Sequence, residues 1–140
     1  RVAGLQAAGV ETEIFKGAIG SQMVKIFDLQ AAKTGYNSME AEKHGIKTVE
    51  KVMDWHSRPG YCPESAPIIT KLTVDEKTRK VIGGEIAGTD GAALRINTVA
   101  TAITAGMTIE DLAYLDLGYA PPFSPVWDTV AATAQLFIKR

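Results

Sequence analysis

The sequence holds few of the residues that carry most site chemistry. There is one cysteine, Cys62, and there are two histidines, His44 and His56, in 140 residues. A single thiol excludes an intrachain disulfide and any multi-thiolate metal site, and it fits a reducing compartment. Neither sign of charge dominates: 15 Lys and Arg stand against 16 Asp and Glu, for a net charge of -1. Without a basic cluster there is no electrostatic footprint of a nucleic-acid binder. No apolar run approaches the roughly 18 residues a membrane-spanning helix needs, and the N-terminus lacks the charged-then-apolar layout of a signal peptide. A soluble, cytoplasmic domain with no nucleic-acid or membrane partner is expected. No Gly-x-Gly-x-x-Gly follows a strand, so nothing here holds a dinucleotide pyrophosphate. No Cys-x-x-Cys pair, phosphate loop or nucleophile elbow occurs either. His44 sits at a polar helix end, where the dipole favours it, and His56 at a strand end; neither reads as catalytic.

What is present is one domain's worth of core, at 46% hydrophobic residues. Its most specific stretch is Leu117-Gly118-Tyr119-Ala120-Pro121-Pro122-Phe123-Ser124-Pro125-Val126-Trp127-Asp128. Successive prolines fix φ and push the residues before them toward extended conformations, so Tyr119 is carried on a stiff, non-helical segment. Ser124 followed by Pro125 reads as an N-cap with proline at the first helical position, launching a helix from Pro125 to Ile138. Asp128 in its first turn is favoured by the helix dipole, and Trp127 reads as core or interface.

Strand and helix signals along the rest of the chain give an α+β order. Arg1 to Gly9 reads as the tail of a helix closed by Gly9, cut from a larger protein whose remainder covers its apolar side. Val10 to Ser21 is a connector, and Gln22 to Leu29 reads as a strand. Asn37 to Glu40 has capping-box spacing and opens a short helix ending at Gly45. Lys47 to His56 is a half-buried strand, and Arg58 to Pro63 must be a loop. Ile68 to Val74 and Lys80 to Ala87 form an antiparallel hairpin about Asp75 to Thr78, with Gly83 and Gly84 marking a bulge or a close backbone approach. Asp90 is positioned to cap a helix from Gly91 to Ala105, whose Ile96, Val99, Ala100 and Ile103 form one apolar stripe. Thr108 to Asp111 starts a last short helix, through Ala113 or Tyr114. Such an order favours an antiparallel β-sheet covered by helices on one face.

From about Lys16 onward the chain resembles the C-terminal dimerisation domain of the flavin-dependent pyridine nucleotide-disulfide oxidoreductases, in the branch of coenzyme A-disulfide reductase and NADH oxidase. The resemblance rests on the Tyr119 segment together with Phe15-Lys16-Gly17-Ala18-Ile19-Gly20, Lys33-Thr34-Gly35, Gly60-Tyr61-Cys62-Pro63, Gly83 to Gly88, Leu94-Arg95-Ile96-Asn97 and Met107 to Leu112, in this order. Cys62 departs from the Tyr-Tyr-Pro that relatives show there. No His-Pro occurs, unlike in the glutathione reductase and lipoamide dehydrogenase branches.

The resemblance implies residues 1–9 as the helix tail of a missing FAD- and NAD-binding part and residues 10–140 as the dimerisation domain. It implies a homodimer in which this domain completes the partner's active site, beside a catalytic cysteine located outside this chain. Two tyrosines, Tyr61 or its neighbour and Tyr119, then reach in trans toward the partner's site. On their own, without the resemblance, the two residues read as ordinary loop anchors with a buried ring and a wet hydroxyl. FAD and NAD(P)H belong to the parent enzyme and none is bound within this chain; the substrate is a small-molecule disulfide, oxygen, a peroxide or a polysulfide. The alternatives are an interaction module without an oxidoreductase parent and a free-standing thiol- or metabolite-binding protein.

Overall fold

Residues 1–10 and 14–138 are described by the computed structural model. Helix α1 (Val2–Ala7) closes as its sequence requires: Gly9 sits at φ +71, its N–H donates to the Gln6 carbonyl, and the Val10 N–H donates to the Leu5 carbonyl. That bond pair is a Schellman cap, and glycine carries it without a Cβ penalty. The helix buries none of its residues. The connector from Val10 to Ser21 has neither helix nor strand among its described residues, and positions 11–13 lie outside them.

The strand expected over Gln22 to Leu29 is instead a hairpin. β1 (Gln22–Ile26) reverses at Phe27 and Asp28 into β2 (Leu29–Gly35), with Ile26 opposite Leu29. Phe27 takes φ 51, where a bulky residue is rare, so the turn lacks the Gly or Asn that would announce it. Helix α2 (Ser38–Lys43) carries the capping box as expected: Glu40 N–H donates to Asn37 Oδ1 at 2.8 Å and Asn37 N–H to Glu40 Oε2 at 3.0 Å. β3 (Thr48–His56), β4 (Pro67–Asp75) and β5 (Val81–Gly88) follow. The expected hairpin of β4 and β5 is present, with a register shift between Thr73 and Val74. All pairings are antiparallel, and the strand order is β1-β2-β5-β4-β3.

Three helices complete the order: α3 (Ala92–Ala105), α4 (Ile109–Ala113) and α5 (Thr129–Gln135). α4 opens on a capping box in which Asp111 stands where Glu is usual, its Oδ2 accepting from Thr108 N–H at 2.9 Å. α3 packs on β5 and β2, and α5 on β4 and β3. Ile68, Leu72, Val74, Ile86, Ile96, Val99, Ile109, Leu112 and Val130 fill the space between these helices and the sheet. The α3 stripe faces this core through Ile96 and Val99, with Ile103 partly buried against it and Ala100 at its margin. α3 lies close because Gly84 has no side chain; a Cβ there would stand 3.0 Å from a Val99 methyl.

The opposite face of the sheet carries a charged row, in which Lys71 pairs with Glu85 at 2.8 Å, beside half-exposed Val24, Val52 and Ile69.

Two expected caps are corrected. Asp90 does not cap α3: its carboxylate is held by Arg58 at 3.2 Å, and Gly91 is the cap residue, with no side-chain bond. The final helix does not start at Pro125. It starts at Thr129, where Asp128, not Ser124, accepts the Val130 N–H at 3.0 Å. Tertiary bonds hold the intervening residues out of a helix, since the Trp127 carbonyl accepts from Trp55 Nε1 at 2.9 Å. α5 ends at Gln135, turns continue through Ile138, and residues 139–140 lie outside the described ones.

Gly83 is a close approach: a Cβ there would lie 1.8 Å from the Tyr36 carbonyl oxygen. Gly83→Ala is expected to destabilise the domain by about 3 kcal/mol or more, because backbone on both sides must shift. The urea unfolding midpoint measures this, and an unchanged midpoint contradicts it.

Candidate functional site

The loop after β3 is closed by its own polar groups. Ser57 N–H donates to the Ala66 carbonyl at 2.8 Å, Ala66 N–H returns to Ser57 Oγ at 3.0 Å, and Ser65 Oγ donates to the Arg58 carbonyl at 2.8 Å. Arg58 also holds Glu64 within the loop and Asp90 outside it. Tyr61 projects from the tip of this loop, 73% exposed.

The proline segment presents the second tyrosine. Ala120 O accepts from Phe123 N–H at 2.9 Å and Ser124 N–H at 3.1 Å, a tight turn that includes both Pro121 and Pro122. Two bonds tie this segment to the strand and loop opposite. Cys62 Sγ donates to the Pro121 carbonyl at 3.5 Å, and Trp55 Nε1 donates to Trp127 O. Tyr119, 49% exposed, stands ahead of that turn.

Residues far apart in sequence thereby meet. The neighbouring Tyr119 side chain, as a hydrogen-bonding partner, holds the Tyr61 pKa above the ordinary tyrosine value, with further contributions from desolvation and from the charges of Tyr119 and Cys62. Tyr61 thus stays a protonated donor across the physiological range, beside a second phenol and a thiol. The two phenols form an exposed patch, flanked by the partly buried thiol, able to donate to an anionic sulfur or oxygen.

Behind the pair sits a residue to which sequence reasoning assigned no role. Arg95 Nε donates to Asp128 Oδ2 at 2.6 Å, Nη1 to the Gly91 carbonyl at 2.7 Å, and Nη2 to the carbonyls of Ser57 at 2.8 Å and Phe123 at 3.3 Å. Its signal was visible: Arg95 is the one charged residue in α3. The two histidines lie against aromatic rings: His44 packs on Tyr36, centroids 5.1 Å apart and tilted by 37°, and His56 lies beside Trp55. Among the described residues no three His, Cys, Asp or Glu side chains are grouped to hold a metal ion. No described helix is long and apolar enough to cross a membrane. Among the described residues the sheet is wholly antiparallel and carries no βαβ turn of the kind that holds a dinucleotide pyrophosphate.

Residues 21–131 match the sequence profile of the pyridine nucleotide-disulphide oxidoreductase dimerisation domain. The chain belongs to this family. As a dimerisation domain it is 38% identical over 135 residues to the NAD(P)H coenzyme A polysulfide/persulfide reductase of Pyrococcus horikoshii, covering 96% of this chain and 30% of that protein. It is 30% identical over 125 residues to the coenzyme A disulfide reductase of Staphylococcus aureus, covering 89% of this chain and 28% of that one. The NAD-dependent persulfide reductase from A. fulgidus superposes with a TM-score of 0.92 at 38% identity, over 99% of this chain and 26% of that structure. The dimerisation domain thus spans about 30% of the length of the curated relatives it matches. Family membership sets aside the alternative of an interaction module without an oxidoreductase parent.

The tyrosine contact gives a pH signature. The folded-state pKa of Tyr61 exceeds its unfolded value, so its contribution to stability is complete below about pH 10 and is lost as pH rises through the folded value. Tyr119→Phe is expected to move the Tyr61 titration down toward that of an ordinary phenol, read by ultraviolet absorbance against pH. A Tyr61 titration unmoved by that substitution contradicts the contact.

Proposed function

We propose that this domain belongs to a homodimeric, FAD-containing enzyme that uses NAD(P)H to reduce a low-molecular-weight disulfide or persulfide, and that each copy lends Tyr61 and Tyr119 to its partner's active site. The observation that carries the reading is the convergence of two exposed phenols on one patch. Among the described residues the sheet beside them carries no βαβ turn for a dinucleotide. The sulfur substrate class is supported by relatives named as disulfide, polysulfide and persulfide reductases. We place the enzyme in the cytoplasm, which suits its free thiol. Residues 1–9 are the end of a helix of the FAD- and NAD-binding part, and residues 10–140 are the dimerisation unit. A helix that buries nothing of its own supports this division, as does an apolar strip left uncovered on the sheet.

In such a reaction the S–S bond breaks, a disulfide giving two thiols and a persulfide a thiol and hydrogen sulfide, and NAD(P)H is oxidised with uptake of a proton. A bound flavin would supply the passage for the electrons. The chain's own residues act on the sulfur: as the bond breaks, negative charge collects on the departing atom, and a phenol O–H aimed at it stabilises the thiolate. Tyr61 is held protonated beside Tyr119, so the pair retains an O–H to direct at the thiolate. The Tyr119 ring and the Cys62 side chain flank the same patch.

A hydrogen bond to a charged group is worth about 1.5–3 kcal/mol, which corresponds to roughly a ten- to hundredfold effect on rate. Tyr61→Phe and Tyr119→Phe in the flavin-containing enzyme are each expected to lower kcat by that factor while dimerisation, read by sedimentation, is unchanged. Full turnover in both variants, or a monomeric enzyme at micromolar concentration, contradicts the reading.

A further inference from the structure

We infer that Arg95 is a positioning residue for the tyrosine pair: its guanidinium fixes the spacing between the loop that carries Tyr61 and the segment that carries Tyr119. The inference rests on the role proposed for the two phenols and adds the device that brings them together.

Tyr61 and Tyr119 are mounted on separate pieces of chain, neither a strand nor a helix. A pair of exposed loop residues keeps a fixed separation only if something rigid grips both loops. Arg95 does this from the first turn of α3, whose neighbours Ile96 and Val99 are fully buried against the sheet. One nitrogen, Nη2, donates to the Ser57 carbonyl at 2.8 Å and to the Phe123 carbonyl at 3.3 Å. Ser57 begins the Tyr61 loop and Phe123 belongs to the turn that follows Tyr119. The two carbonyls are thus held on a single atom.

The remaining nitrogens keep the guanidinium from turning. Nη1 is held by the Gly91 carbonyl within the same helix, and Nε by Asp128, whose other oxygen caps α5. Both side chains of this ion pair are nearly buried, at 12% and 11% exposure. Its direct rivals are weaker. The Cys62 to Pro121 bond uses a poor S–H donor, and the Trp55 to Trp127 bond anchors the far end of the segment. Arg58 grips the Tyr61 loop through Glu64 and reaches Asp90, its ion pairs lying outside the proline segment.

The planar fork is what the task needs. An ammonium replaces it with one nitrogen and cannot serve Asp128, Gly91 and two further carbonyls in their fixed directions. Arg95→Lys therefore keeps a positive charge for Asp128 and removes the link between the loops.

The test uses the full 140-residue chain with Arg95→Lys and two readouts at the pair. One is the ultraviolet titration of Tyr61; the other is the rate at which Cys62, the chain's one cysteine, reacts with an aromatic disulfide reagent. In a variant that melts cooperatively, the Tyr61 titration is expected to move down toward that of an ordinary phenol, and Cys62 to react several-fold faster as its bond to Pro121 opens. A variant that loses stability but keeps the raised Tyr61 value and the parental thiol rate overturns the inference, since Arg95 would then only support the fold. Should Arg95→Lys not fold, Asp128→Asn removes the charged anchor while keeping an acceptor for Val130 N–H, and unchanged readouts there overturn the inference equally. Normal turnover of Tyr61→Phe and Tyr119→Phe enzymes would end the role proposed for the phenols and leave this result standing.

Discussion

The ion pair between Arg95 and Asp128 is the interaction on which the candidate site depends. It takes two charges largely out of water, and a pair so placed is favourable only when its remaining donors and acceptors are satisfied. Here they are. Arg95 donates to three backbone carbonyls besides Asp128, while Asp128 also accepts from Val130 N–H and lies 3.3 Å from Ser124 Oγ. The start of α3, the start of α5, the loop after β3 and the proline segment therefore share one polar junction. Removing either partner leaves a nearly buried charge uncompensated and unties all four.

The layered fold makes that junction possible. Small residues on β5 allow α3 to settle against the sheet, which brings its first turn, and Arg95 with it, over the end of β3 where the Tyr61 loop begins. α5 packs on the neighbouring strands, and its buried Thr129 hydroxyl lies 2.7 Å from that of Thr70. The rigid parts thus do nothing chemical themselves. They hold two loop segments at a fixed separation, and the aromatic side chains these carry are exposed, as residues meant for another surface are.

Local signals were legible in the sequence and tertiary ones were not. The boxes at Asn37 and Thr108 were readable because both partners of each box lie within one turn. The hairpin of β4 and β5 was readable from its alternation about a polar turn. The hairpin of β1 and β2 was hidden, because Phe27 adopts a turn conformation that glycine usually marks. Asp90 and Ser124 were misread as caps for a common reason: Arg58 holds the first, and the bond from Trp55 to Trp127 delays the helix after the second. For the site, the local physics of Tyr119 gave a stiff mount, and the resemblance alone paired it with Tyr61. The meeting of the two depends on Arg95, whose long-range bonds leave no periodic trace beyond a lone charge in an uncharged helix.

The central claim is that this tyrosine mount serves the active site of another subunit. Subunit mixing tests it most directly, using one flavoenzyme subunit that lacks its flavin-side cysteine and another that carries Tyr61→Phe with Tyr119→Phe. If the tyrosines act in trans, the mixed dimer contains one complete site and recovers about half the parental activity, although each homodimer is impaired. A mixed dimer no more active than its parents would place the tyrosines in their own subunit's site, or in none, and would contradict the account.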